Sequence, residues 1–365
     1  MTRIGAYAFN GCTGLKSITI PDSVTNIGRY AFNECTGLTS ITIGSGLANV
    51  GQFAFYGCSG LKAVNITDLS GWCGVTFENG VSGSNPIYYA KYLYLNQAPV
   101  TVLVIPEGVT HISAYAFYNC RNLMCVTIPE SVTSIGDSAF HGCEKLAEVY
   151  NYSSLTIEKD SSENGYVGCY AEDVYTDLGE SKVSIDENGY VLYTDGADRM
   201  LLGYNGSETA LILPDGITEI HRYAFSECTN LLRVEVPAGV TSIDYAAFEG
   251  CVNLARVTLP NSVTVIHQRA FFNCAGLTEI VIGNGVADIG NYAFYGCESL
   301  TTITIPVSTH YIWDYAFDGA VNLTNIIYQG TRAQWNDVVK ASSWDNGTGD
   351  YVVHCTDGDI VKEGI

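Results

Sequence analysis

The sequence predicts a β-rich solenoid, and two observations carry that prediction. The dipeptide Ala-Phe recurs at Phe225, Phe248, Phe271, Phe294 and Phe317, each 23 residues after the last. The full unit, LKSITIPDSVTNIGRYAFNEC from Leu15 to Cys35, generalises to LxxIxIPxxVTxIGxYAFxxC. A period in the twenties headed by Leu-x-x-Ile-x-Ile marks the leucine-rich repeat class, whose coils bury their faces only against their neighbours. The expectation is a right-handed leucine-rich repeat solenoid, with a ladder of parallel strands on its concave face and short helical turns outside.

Each part of the unit has a physical reading. Ile18 and Ile20 alternate with Ser17 and Thr19, the period of a half-buried strand. Pro21 follows at once, where its fixed φ and missing N–H stop the ladder and turn the chain. Val24 and Ile27 form a second inward pair, and Ala31, Phe32 and Cys35 have the spacing of one helical turn.

At 365 residues the chain exceeds the usual domain size, but a repeat core simply extends, so one solenoid over 1–365 is expected. Apolar residues make up 47%, ample for a core, and no apolar run nears the roughly 20 residues of a membrane helix. Membrane insertion of this fragment is therefore not expected. The net charge of −21, from 17 Lys+Arg against 38 Asp+Glu, repels nucleic-acid backbones and anionic lipid alike. The opening MTRIGAYAFNGC enters the repeat at its middle without a signal-peptide pattern, which reads as a piece of a longer protein.

Nine of the 13 cysteines (Cys12, Cys35, Cys58, Cys120, Cys143, Cys228, Cys251, Cys274 and Cys297) stand three residues after the repeat Phe. Position explains these as an inward column of small apolar thiols rather than a chain of disulfides. Cys73, Cys125, Cys169 and Cys355 lie outside that column, and an odd total leaves at least one thiol free.

Two stretches break the register. Between Phe55 and Phe117 an insert at about 67–99 holds Trp72 and a tyrosine-rich strand in which Tyr92 and Tyr94 alternate with Leu93 and Leu95. Between Phe140 and Phe225 a second insert, about 150–210, is acidic, with 12 Asp+Glu against 3 Lys+Arg over residues 151–210. Its VSIDENGYVLYTDGADRMLLGYNG reads as a three-stranded meander turning at Asn188-Gly189 and Gly196. After Tyr328 a cap is expected over about 328–361. Thr331 would start a short helix that lays Trp335 on the last coil, and a strand from Tyr351 to Cys355 would close the array.

With Ile-Pro-x-x-Val-Thr-x-Ile-Gly-x-Tyr-Ala-Phe-x-x-Cys repeated through nearly the whole chain, the sequence resembles the BspA-like leucine-rich repeat family of bacterial surface proteins. Both inserts and the closing GTRAQWNDVV resemble variants within that family. The resemblance implies secretion or attachment at the cell surface and adhesion to macromolecules of a host or a neighbouring cell. The cysteines depart from the general leucine-rich repeat, because they precede the Leu instead of following the strand.

Nothing in the sequence has the spacing of a catalytic or cofactor motif: there is no G-x-S-x-G, H-E-x-x-H, Walker loop or C-x-x-C. The six histidines are scattered, and His221 and His267 fall two coils, about 10 Å, apart, too far to share a metal. Asp186, Glu187, Asp195 and Asp198 crowd the meander turns, where Asp and Gly are needed for backbone geometry in any case. No enzyme activity and no cofactor are expected.

Surfaces remain. The outward strand positions are mostly small and β-branched, as any exposed parallel sheet favours. Glu148, Tyr150, Arg233, Glu235, Arg256 and Glu279 stand out among them, either as recognition residues or as partners in salt bridges across coils. Trp72, Tyr88, Tyr89, Tyr92 and Tyr94 either stack on sugar rings or plug the interrupted groove. The function expected is non-catalytic binding of a protein or glycoprotein through the concave face; the alternative is a structural spacer displaying another domain.

Overall fold

The computed structural model describes residues 2–78, 83–177 and 181–362. The chain is a parallel-strand solenoid with little helix, divided into two compact units, Met1–Ser181 and Lys182–Ile365. The division falls inside the acidic insert. Each unit has its own apolar core.

Every regular coil supplies three backbone ladders. In the first, Ser17–Ile20 lies parallel to Ser40–Ile43, with Ser17 opposite Ser40 and Ile20 opposite Ile43. In the second, Asn26–Ile27 lies beside Asn49–Val50 in the same one-repeat shift. Pairing of identical positions keeps every apolar residue facing inward, because a slip of one residue would turn the whole strand over.

The third ladder corrects the expected helical turn. Tyr30, Phe32 and Glu34 donate their backbone N–H to the carbonyls of Gln52, Ala54 and Tyr56 in the next coil, at 3.0, 2.7 and 2.6 Å. Ala31, Asn33 and Cys35 donate back to Gly28, Tyr30 and Phe32, each at 3.2 Å. A helix would aim every N–H along its own axis; here every second one leaves for the neighbouring coil. That alternation requires left-handed residues, and Tyr30 (φ 54°) and Glu34 (φ 55°) adopt that conformation. The same position before Ala-Phe is left-handed at Tyr7, Tyr115, Tyr223, Tyr292 and Tyr315. The conformation costs about 1–2 kcal/mol per residue, and ring stacking such as Tyr7 on Tyr30 at 5.2 Å and Tyr292 on Tyr315 at 5.0 Å offsets it.

Behind this ladder the repeat phenylalanines form a buried column. Phe225, Phe248, Phe271, Phe294 and Phe317 follow one another at 5.0, 5.1, 5.3 and 5.3 Å with nearly parallel rings, all fully buried. In the first unit Phe9, Phe32 and Phe55 stack in the same way at 5.0 and 5.2 Å, with Phe9 half-buried at the end of the column.

The repeat cysteines run alongside, and no disulfide forms among the described residues. The thiol of Cys35 donates to the carbonyl of Phe9, Cys58 to Phe32, Cys251 to Phe225 and Cys274 to Phe248, at 3.0–3.1 Å. These four column residues thus satisfy a backbone acceptor one coil back while filling a small apolar site. Burial pushes the thiols of Cys58, Cys73 and Cys120 up to about 12 from an ordinary 9.0.

The first insert is an enlarged coil. Asp68 caps the helix Leu69–Cys73 by accepting from Ser70 and Gly71 N–H. Thr76–Phe77 then rejoins the second ladder beside Asn49–Val50, and Leu93–Leu95 rejoins the first beside Ala63–Ile66. In the second unit the meander forms as expected: Val183–Ile185, Tyr190–Asp195 and Asp198–Tyr204 pair antiparallel, and the last then pairs parallel with Glu219–Ile220. At the other end Thr331 caps the helix Arg332–Asp337 in a capping box with Gln334. Trp335 packs on Tyr328 at 5.1 Å, and Val352–Cys355 extends the long-strand sheet.

Two outcomes follow. Phe248→Ala, which removes a ring stacked on both sides, costs about 3–5 kcal/mol by urea unfolding. The buried thiols stabilise the fold fully below pH 9, and that contribution is lost as pH rises toward about 12. The melting temperature is therefore flat from pH 7 to 8.5 and falls progressively above pH 9; a flat profile to pH 11 would contradict the buried column.

Candidate binding surface

In the second unit the outward residues of the long-strand sheet form open columns, because successive side chains on a strand point to opposite faces. Arg233–Glu235, Arg256–Thr258 and Glu279–Val281 are adjacent and parallel, which places Arg233 beside Arg256 and Arg256 beside Glu279. All three of these charged residues, and Glu235, are exposed. Arg256 Nε lies 3.8 Å from Glu279 Oε2 with both side chains about half exposed, a geometry worth at most about 1 kcal/mol. Arg233 and Glu235 make no ion pair among the described residues. Two arginines side by side on an open sheet repel one another, and the fold gains nothing from the arrangement. Ile212, 74% exposed, lies one strand before Glu235 and adds apolar surface to the same face.

The first unit treats its expected site residues differently. Glu148 and Tyr150, expected to face outward, are buried. Asp173–Tyr175 adds a further strand beside them, Tyr175 stacks on Tyr150 at 5.0 Å, and the Ser181 hydroxyl donates to Glu148 Oε2 at 2.6 Å. Burial, with the charge of Glu148 adding to it, pushes the Tyr150 hydroxyl up to about 12. Trp72 is likewise a core residue, 2% exposed, with Nε1 donating to the Ala116 carbonyl at 2.8 Å. Of the two readings of the first insert, the plug describes Trp72. Tyr92 and Tyr94 are half-buried at the strand Leu93–Leu95.

Tyr88 and Tyr89, singled out in the sequence with Trp72, join Tyr118 and His141, which were not. Tyr88 packs on Tyr89 at 5.0 Å and on Tyr118 at 6.1 Å, and Tyr118 stacks on His141 at 5.2 Å. They line an open cleft of about 420 Å³ with Lys91 and Glu144. Burial holds the His141 imidazole below its ordinary value. Its members come from an insert and two regular coils, so no single repeat reveals it.

For metal chemistry, the described residues contain one group of candidate ligands: Glu219, His221 and Asp244, whose ligand atoms lie within 4.8 Å of one another. Pairing His221 with His267 misses it, since the carboxylates sit on the same and the adjacent coil. Arg222 Nε donates to His221 Nε2 at 3.3 Å, which sets a positive charge beside this group. In the meander, Asp186 Oδ1 accepts the N–H groups of Asn188 and Tyr190, and Asp195 pairs with Lys182 at 3.0 Å. Those carboxylates form the turns.

The sequence profile of the BspA type leucine rich repeat region matches in six copies over residues 1–79, 88–164 and 204–334. Among solved structures the chain is similar to a leucine rich cell surface protein from Faecalibacterium prausnitzii A2-165, at 27% identity over 94% of this chain and 86% of that one, TM-score 0.47. It is also similar to a leucine-rich repeat protein from Bacteroides ovatus ATCC 8483, at 22% identity over 97% and 87%, TM-score 0.34. The pneumococcal vaccine antigen PcpA is similar at 18% identity over 96% and 84%, TM-score 0.42. No curated protein matches the chain.

The two kinds of residue separate by stability. Trp72→Ala costs about 3–5 kcal/mol by urea unfolding, whereas Arg233→Ala changes stability by less than about 0.5 kcal/mol.

Proposed function

This chain belongs to the BspA-type leucine-rich repeat family, and on that premise we propose that it is a non-catalytic binding module of a bacterial cell surface. It takes a protein or glycoprotein of a host or neighbouring cell through the long-strand sheet of the second unit, the face that the repeat pattern predicts to be concave. One observation carries the reading: Arg233 and Arg256 lie exposed in adjacent strands, with Arg233 unpaired among the described residues, in a chain of net charge −21. Fold stability does not explain two adjacent exposed arginines of which only Arg256 has a carboxylate partner; an acidic ligand group, held by the planar fork of a guanidinium, does.

Arg256, Glu279 and Glu235 add a mixed-charge rim, and exposed Ile212 supplies apolar area, the composition of a recognition patch with an arginine anchor. Tyr92 and Tyr94 in the first unit are a secondary aromatic contact. Family membership supports a location at the cell surface or outside the cell.

The second reading, a structural spacer, is favoured by Thr258, Thr302 and Thr304, outward positions that carry no more than sheet propensity.

An array of extracellular-matrix glycoproteins and mucins separates the two readings. The native chain binds at least one member at micromolar concentration, and Arg233→Glu/Arg256→Glu weakens that binding by more than about 10-fold. Unchanged binding by the variant removes the sheet from the account, and no binding at all favours the spacer.

A further inference from the structure

The second ladder of the second unit also has an outward face, and its side chains are not those of a plain repeat. The position just after each short strand is glycine at Gly28, Gly51 and Gly136 in the first unit and at Gly290 in the second, where the preceding coils carry His221, Asp244 and His267. On the backbone of these four glycines a Cβ would stand 2.4–2.6 Å from the preceding coil. One coil after Gly290 the same position holds Trp313, 45% exposed. The other three tryptophans, Trp72, Trp335 and Trp344, are all buried. Packing does not account for Trp313.

Its surroundings form a slot. Trp313 and His267 stand one coil to either side of Gly290, about 10 Å apart by strand spacing, and the absent side chain of Gly290 leaves the floor between them bare. The resulting cleft is about 340 Å³, within the range of small-ligand sites. Tyr311 stacks on Trp313 at 5.7 Å and 16°, extending the aromatic wall. Polar groups complete the lining: Asp288, Asn291 and Gln268. Asn291 Oδ1 accepts the N–H of Asp314 at 3.0 Å, which orients the amide and leaves its NH₂ to donate.

We propose that this slot binds a neutral hexose unit of an oligosaccharide, stacked on Trp313 and hydrogen-bonded to Asp288 and Asn291. A pyranose ring presents C–H groups from its face and hydroxyls from its edge. An aromatic wall flanked by one carboxylate acceptor and one amide donor is complementary to both. The chain's net charge of −21, with Asp288 in the wall, disfavours an acidic sugar. An extended peptide has less to hold it. The strand Asp288–Ile289 is already paired on both sides, with Val265–Ile266 and Tyr311–Ile312, so no open edge remains for strand addition. The slot lies on the short-strand face and does not rest on the arginine pair.

The test is calorimetric titration of the full chain with maltohexaose, cellohexaose, xylohexaose and mannohexaose to millimolar concentration, with Trp emission recorded in parallel. At least one sugar binds saturably, and binding shifts the emission of the single exposed tryptophan. Trp313→Gly, which puts at this position the residue that Gly290 supplies one coil earlier, loses the heat signal by more than 10-fold, as does Asp288→Ala, and the urea midpoint of each variant checks that the fold is kept. Binding by Trp313→Gly equal to the native chain, or no binding by any of the four sugars, overturns the proposal. A proline-rich peptide that binds natively and is lost in Trp313→Gly, where the sugars are silent, overturns it in favour of a peptide groove.

Discussion

The structure depends on a match between two lengths. Hydrogen-bonded strands lie about 4.8 Å apart, and aromatic rings attract best when offset-stacked with centroids between about 4.5 and 7 Å apart. A phenylalanine placed identically in every coil therefore stacks at 5.0–5.3 Å from Phe225 to Phe317 without moving from its backbone position. The same spacing lets the Cys thiol reach the carbonyl of the previous coil. Backbone pairing and side-chain packing draw on one translation, and so one 23-residue unit specifies a whole core.

That commensurability also explains the left-handed residue before each Ala-Phe. Strand residues meet their neighbours through extended backbone, but the Phe segment must turn a corner while still hydrogen-bonding across coils. Alternate N–H groups are aimed outward by setting Tyr30 and its equivalents to positive φ. Tyrosine is a poor intrinsic choice for that conformation, so its use is understood through the ring-on-ring stack that the position offers.

The parts legible in the sequence are those in which one residue type repeats for one reason. The strand, the proline stop, the Phe column and the thiol column are all of this kind, as are the meander and the Thr331 cap, whose local turn and capping chemistry is self-contained. The helical turn was misread because Ala31, Phe32 and Cys35 have spacings a helix shares, while the φ of Tyr30 leaves no mark in the pattern. Glu148, Tyr150 and Trp72 were misplaced for another reason. What covers or holds them, namely Tyr175, Ser181 and the Ala116 carbonyl, comes from outside their own repeat. Arg233, Arg256 and Glu279 were placed correctly because an outward strand position in a regular coil depends only on its own pleat.

The one-repeat register of the ladders has a consequence for inheritance. A coil such as 240–262 accepts from Phe225 of the preceding coil at the Ala247 carbonyl and donates from Phe248 N–H to Ala270 of the following one, so its two faces are complementary to each other. Loss or duplication of one such segment by unequal recombination joins surfaces that already fit. The number of coils is then a trait free to drift between lineages while the chemistry of each coil stays under selection. Breadth of the exposed sheet can change in single genetic steps, with no intermediate that must fold around a mismatched joint.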